Sequence, residues 1–201
     1  MKRKNFVCCA AALCAAICIA APACAAETET VDNVSGELSI PGFLDYKWGD
    51  AKDDVLEKEI SPDMVSGIDY AEEMSEGMLA VRIKDKGVAG YEADANLLFA
   101  DDVLIAGSYT IDTTDEEFLK LMEKYSEKYG EPTLEKESTG WGPAFMWIDA
   151  DGNFIAATDM FGIFYISADS AVIDLLEDQF MEFNEIDLRE EIEKAVSSDG
   201  I

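Results

Sequence analysis

Two apolar runs separated by a very short connection constrain this chain more than any other feature. "GYEADANLLF" (90–99) places Tyr91, Ala93, Ala95, Leu97 and Phe99 at alternate positions, and "VLIAGSYTI" (103–111) does the same with Val103, Ile105, Tyr109 and Ile111. Period-two alternation is the mark of a half-buried strand. Only "ADD" (100–102) lies between them. That is enough for a hairpin and far too short for the crossover a parallel pair requires. The sheet is therefore antiparallel at this point.

The same logic extends in both directions. "GMLAVRIKD" alternates as well, with Leu79, Val81 and Ile83 on one side and Ala80, Arg82 and Lys84 on the other. Upstream, a helix is predicted over 50–60, with Asp50 as its N-cap and Asp53 and Asp54 complementing the positive end of its dipole. Val55, Leu56 and Ile60 would form its buried face, and Pro62 would end it. Downstream, Thr114 and Glu117 of "TDEE" make a capping box. Phe118, Leu121, Met122, Tyr125 and Tyr129 then recur at helical spacing until Gly130 and Pro132 stop the helix. A second strand group follows in "AFMWI", "NFIAAT" and "GIFYIS". A third helix over 169–183 would bury Val172, Leu175, Leu176, Phe180 and Phe183, and a short terminal helix is expected near 187–196. Helix then strand meander, twice over, with helices to close, defines an α+β fold: antiparallel sheet or sheets from two helix-plus-meander halves, packed by three helices.

The N-terminus reads as a signal peptide over 1–25. "MKRKN" is the charged n-region, "FVCCAAALCAAICIAAPA" the apolar region and "ACA" (23–25) the small-residue cleavage pattern. This implies a secreted or extracytoplasmic bacterial protein with no transmembrane segment in the mature chain. All five cysteines (Cys8, Cys9, Cys14, Cys18 and Cys24) fall in this segment, so the mature chain has none. Cys24 would be the site of a lipid anchor, but "APAC" offers Ala21 where a lipobox normally has a branched apolar residue, which favours release. Residues 26–39 read as a flexible lead-in, 40–196 as a single domain and 197–201 as a frayed tail.

Charge bounds the partners. The chain has 43 acidic and 15 basic residues, a net charge of −28, and Lys2, Arg3 and Lys4 leave with the signal. Such a field repels nucleic acid and anionic membrane surfaces and favours cations or basic proteins. The chain has no histidine. With neither histidine nor cysteine in the mature chain, a Ser-His-Asp triad, a cysteine nucleophile and imidazole or thiolate metal sites are excluded. Carboxylates, Lys, Tyr and Ser remain, and with so many acids a close pair carries little meaning. No catalytic, cofactor-binding or metal-ligating residue is assigned.

Two stretches invite a ligand. "DADGNF" has Asp149, Asp151 and Asn153 at calcium-loop positions one, three and five, but Phe154 stands where the loop needs glycine and Met160 where it needs a bidentate glutamate. A hairpin turn is the preferred reading, since "DG" is a strong turn signal. "GWGP" (140–143) lacks the lysine and following helix of a phosphate loop and reads as a connection into a strand, where Trp141 is expected as a buried edge residue, the alternative being an exposed ring that meets a sugar or a partner.

Five pieces together resemble a family of small secreted or lipoprotein-like bacterial proteins: "YKWGDAKDDVLEKE" (46–59), "LLFADDVLIAGSY" (97–109), "YSEKYGEP" (125–132), "FMWIDADGNF" (145–154) and "IFYISA" (163–168). Their order is similar to the helix-then-antiparallel-sheet layout of β-lactamase-inhibitor-like domains and of small envelope lipoprotein domains. The resemblance implies a non-catalytic binding module of the cell envelope contacting an envelope or extracellular protein. It carries no catalytic residue onto this sequence. A divalent-cation or glycan binder using the acidic surface is the alternative, and a carboxylate-based hydrolase the third.

Overall fold

The computed structural model describes residues 38–59, 68–75, 77–139, 142–160, 162–168, 173–174, 176–177 and 186–198. A small hairpin, β1 (Gly42–Phe43) and β2 (Tyr46–Lys47), comes first, followed by α1 (Lys52–Glu59). The first meander is β3 (Ile68–Ser75), β4 (Met78–Ile83), β5 (Ala93–Ala100) and β6 (Val103–Ile111). Helix α2 (Asp115–Tyr129) leads into the second, β7 (Leu134–Thr139), β8 (Gly142–Ile148), β9 (Phe154–Thr158) and β10 (Gly162–Ile166). Helix α3 (Leu188–Ser198) closes the described chain. The expected two-fold repetition of helix and meander is thus present, each half carrying four strands.

The halves fuse edge to edge. The sheet runs β3-β4-β5-β6-β10-β9-β8-β7, and every neighbouring pair is antiparallel. The last strand of each meander lies at the centre, with Gly107 opposite Tyr165 across the seam. The first strand of each, β3 and β7, lies at an edge, and neither was legible as a strand in the sequence.

Each face of the sheet carries its own core. Val81, Ala95, Leu97, Phe99, Phe145 and Trp147 face the side covered by α1, α2 and the β1–β2 hairpin. Leu98, Ile105, Met146, Phe154 and Ile166 face the side covered by Ile173, Leu176, Ile186 and α3. Residues 173–174 and 176–177 are helical, in keeping with the third expected helix, whereas Val172, Leu175, Phe180 and Phe183 lie outside the described residues. So do residues 1–37, 60–67 (with Ile60 and Pro62) and 199–201. Two boundaries move: Leu38 already packs on the first core, and Ser197 and Ser198 belong to α3.

Strand β6 departs from simple alternation. Leu98 pairs with Ala106 and Phe99 with Leu104, so Ile105 is an extra residue, a β-bulge. The bulge sends Val103, Ile105 and Ala106 to one core and Leu104, Tyr109 and Ile111 to the other. Val103 and Ile105 therefore do not share a face with Tyr109 and Ile111, as plain alternation had them.

The N-terminal strap uses the stretch of β6 that β10 does not pair with. Gly49 N–H donates to the Leu104 carbonyl at 2.9 Å, and Leu104 N–H donates to that of Asp50 at 2.9 Å. Lys52 N–H donates to the Asp102 carbonyl at 2.8 Å, so the β5–β6 turn holds the start of α1. Asp50 is accordingly not the side-chain cap of this helix. Its carboxylate turns back and accepts from Lys47 N–H at 2.9 Å, closing the turn before it.

Helix α2 follows its sequence signal closely. Glu117 N–H donates to Thr114 Oγ1, and Thr114 N–H to Glu117 Oε2 at 2.9 Å, the complete capping box. Gly130, at φ +85°, ends the helix with its N–H on the Ser126 carbonyl. The Thr114 amide and hydroxyl hold the Glu117 carboxyl below its ordinary range. A lowered acid contributes stability that is present above its unfolded pKa and lost as pH falls through the native value. Thr114→Ala is therefore expected to lower stability by about 1 kcal/mol at neutral pH. In urea unfolding across pH, the gap to wild type should shrink as pH drops below about 4.3, the ordinary glutamate value. A gap that holds constant to pH 2 or widens would contradict this.

Candidate functional site

The buried polar groups come first, because a site would normally be built from them. Asp149, 3 % exposed, is the most enclosed carboxylate among the described residues. Its oxygens accept from Ile40 N–H at 2.8 Å, Asp151 N–H at 3.0 Å, Asn153 N–H at 2.9 Å and the Asn153 amide at 3.1 Å. Asn153 Oδ1 in turn accepts from Ala168 N–H at 2.9 Å. "DADGNF" is thus the β8–β9 turn, with Asp149 N–H donating to the Asn153 carbonyl and Gly152 folded against Ile192 and Ala168. Nitrogen donors hold Asp149 where a calcium loop would offer its oxygens to a cation. Asp149 also ties the N-terminal strap to the second meander, a link of 109 positions that local sequence patterns do not encode. Among the described residues no three His, Cys, Asp or Glu side chains come together as a metal-binding group.

A second cluster is tyrosine-rich. Tyr125 and Tyr165 hydroxyls lie 2.8 Å apart, and Tyr129 joins Tyr165 at 3.3 Å. Burial pushes the Tyr125 and Tyr165 phenols well above their ordinary value, so both stay neutral. The rings pack with Phe43, Tyr109 and Trp147, and Trp147 Nε1 donates to the Gly130 carbonyl at 2.9 Å. These side chains pin α2 to the sheet. The aromatic stripe of α2 is core, as its spacing implied.

A third cluster was not legible in sequence. Tyr46 hydroxyl donates to Glu59 Oε1 at 2.6 Å, Lys86 Nζ pairs with Glu59 Oε2 at 2.9 Å, and Lys58 lies over the Tyr46 ring. Burial, and then the Glu59 hydrogen bond, raise the Tyr46 phenol. Glu59 thereby joins the hairpin, the end of α1 and the β4–β5 loop. The one signal for it is that Glu59 and Tyr46 flank the same strap.

Carboxylate chemistry finds its nearest approach at Asp159 in the β9–β10 turn. Desolvation, reinforced by Asp115 at the start of α2, raises its pKa. The Asp159 carboxylate lies over the α-carbon of Gly142, with no room for a side chain there. Trp141, beside it in sequence, lies outside the described residues.

What remains is the exterior. Asp53, Asp54 and Glu57 on α1, Glu123 and Glu127 on α2, Asp101, Glu131, Glu135 and Glu137 in turns and strands, and Glu193 on α3 are all exposed. Large exposed apolar side chains among the described residues are Leu119, Met160 and Val196, and the described aromatic rings are buried or half-buried. Among the described residues, each face of the sheet carries a packed apolar cluster. Among the described residues no helix is long and apolar enough to cross a membrane. Comparison with protein-family models, with curated proteins and with solved structures gives no match in any of the three.

Asp149→Ala should leave the buried Ile40 N–H and the part-buried Asp151 and Asn153 N–H groups without this acceptor and cost about 2–3 kcal/mol. In a thermal melt, millimolar calcium should leave the wild-type Tm unchanged. A calcium-dependent rise of Tm that disappears in the Asp149 variant would show instead that the turn binds the ion.

Proposed function

We propose that the protein is a secreted, non-catalytic binding module of the bacterial cell envelope, and that its partner is a basic protein met through the acidic exterior. The supporting observation is the division of labour among polar groups. Asp149, Glu59 and the buried tyrosines are engaged in construction, while a large excess of carboxylates faces solvent. A net charge of −28 draws basic partners by long-range attraction and discourages nucleic acid and anionic lipid. A signal-peptide-like N-terminus supports delivery outside the cytoplasm.

The divalent-cation alternative loses its best sequence candidate, because N–H donors hold Asp149. A glycan platform calls for an exposed aromatic ring, which the described surface does not offer. A hydrolase calls for two convergent carboxylates in a cleft. Asp159 and Asp115 approach that only as a turn against a helix end.

The test is capture from envelope extract, followed by titration with the purified partner. The reading predicts a saturable complex weakened at least about tenfold between about 0.05 M and about 0.5 M salt, as screening of exposed charges requires. Affinity indifferent to salt, or a partner chemically altered by the encounter, would contradict it.

A further inference from the structure

We propose that the outer edge of β7 is the docking strip for an extended segment of that partner, one carrying lysine or arginine at alternate positions and adding to the sheet as a further strand. The proposal rests on the basic-partner reading above and makes it specific.

The backbone supplies the first argument. Asp149 N–H donates toward β9, to Asn153, whereas Ile148 N–H donates the other way, to Thr133 Oγ1 at 3.0 Å. Main-chain groups alternate sides along a strand, so Met146 and Ala144 also point toward β7. Their register partners are Leu134 and Lys136, which bond inward. Glu135 between them must turn its N–H and C=O outward, and no described strand lies beyond it. An edge with open amides is a template for strand addition.

Charge supplies the second argument and names the occupant. Glu135 and Glu137 are exposed, and Glu131 is exposed in the loop entering the strand. Glu135 stands opposite Phe145 on the α2 side of the sheet, where an added strand would place a side chain beside it. Like charge turns away a second copy of this acidic chain, and lysine or arginine at that position completes a cross-strand ion pair. The other edge is a poorer template. Strand β7 has one register shift, between Lys136 and Thr139 beyond Glu135, whereas β3 has two, between Ile68 and Tyr70 and again between Glu73 and Ser75. Bulges of that kind twist an edge away from a straight partner.

The test uses the full chain, isotope-labelled for NMR, and a short synthetic peptide alternating lysine with valine and threonine. A control peptide has the same sequence with every second backbone amide methylated, which keeps the charge and blocks strand addition. The parent peptide is expected to slow exchange of the Glu135 amide at least about tenfold and to bind at least about tenfold more tightly than the control. Glu135→Lys with Glu137→Lys, on exposed positions that leave the core intact, should weaken the parent peptide by a similar factor. Equal binding of the two peptides, or protection appearing away from β7, overturns the edge assignment and leaves the basic-partner reading standing. If neither peptide binds at low salt, both fall.

Discussion

The structure depends on one ring set against one glycine. Phe43, from the small N-terminal hairpin, packs directly against Gly107 at the middle of β6, where a methyl group would overlap its ring atoms. Gly107 pairs with Tyr165 across the β6–β10 junction, where the described strands of the two meanders meet. Phe43 also meets Tyr109 and Tyr165, at ring-centroid distances of 4.8 and 5.1 Å. An aromatic side chain from outside the sheet therefore clamps both sides of the seam. The missing β-carbon of Gly107 costs strand propensity and returns a close approach that no other residue permits.

The strap around Phe43 shows how sequence-distant parts are brought together. Ile40 reaches the Asp149 carboxylate, Trp48 Nε1 donates to the Ile40 carbonyl at 2.6 Å, and Gly49 and Asp50 extend β6 beyond its bulge. "WGDAKDDVLEKE" accordingly reads as more than a helix with a cap. Its first three residues close the sheet, and its last, Glu59, anchors Tyr46 and Lys86.

Much of this was legible in the sequence, for definable reasons. The α2 boundaries rest on local chemistry, a Thr114–Glu117 box and a glycine stop, which tertiary structure had no cause to override. The central strands were legible because apolar residues recur wherever a face is buried: buried and half-buried residues alternate over Ala93–Leu97 of β5, and Phe154–Thr158 of β9 is a run buried throughout. The bulge at Ile105 was hidden, because Val103, Ile105, Tyr109 and Ile111 alternate perfectly on paper and only the partner strand reveals the extra residue. Asp50 looked like an N-cap because the competing acceptor for the helix start, Asp102, lies far along the chain. Strand β7 was missed because "LEKEST" is charged and lacks the branched and aromatic residues of a buried strand. Glu135 and Asp149 are both carboxylates in the second meander, and only the fold separates the one that builds from the one that faces solvent.

A double-mutant cycle on Phe43 and Gly107, followed by urea unfolding, tests the clamp most directly. Phe43→Ala should cost about 3–5 kcal/mol as a buried aromatic truncation. Gly107→Ala should be strongly destabilising with the ring present and nearly neutral once Phe43 is alanine, giving a coupling of about 1 kcal/mol or more. If the two losses simply add, Phe43 does not rest on Gly107 in solution and the seam is held by something else.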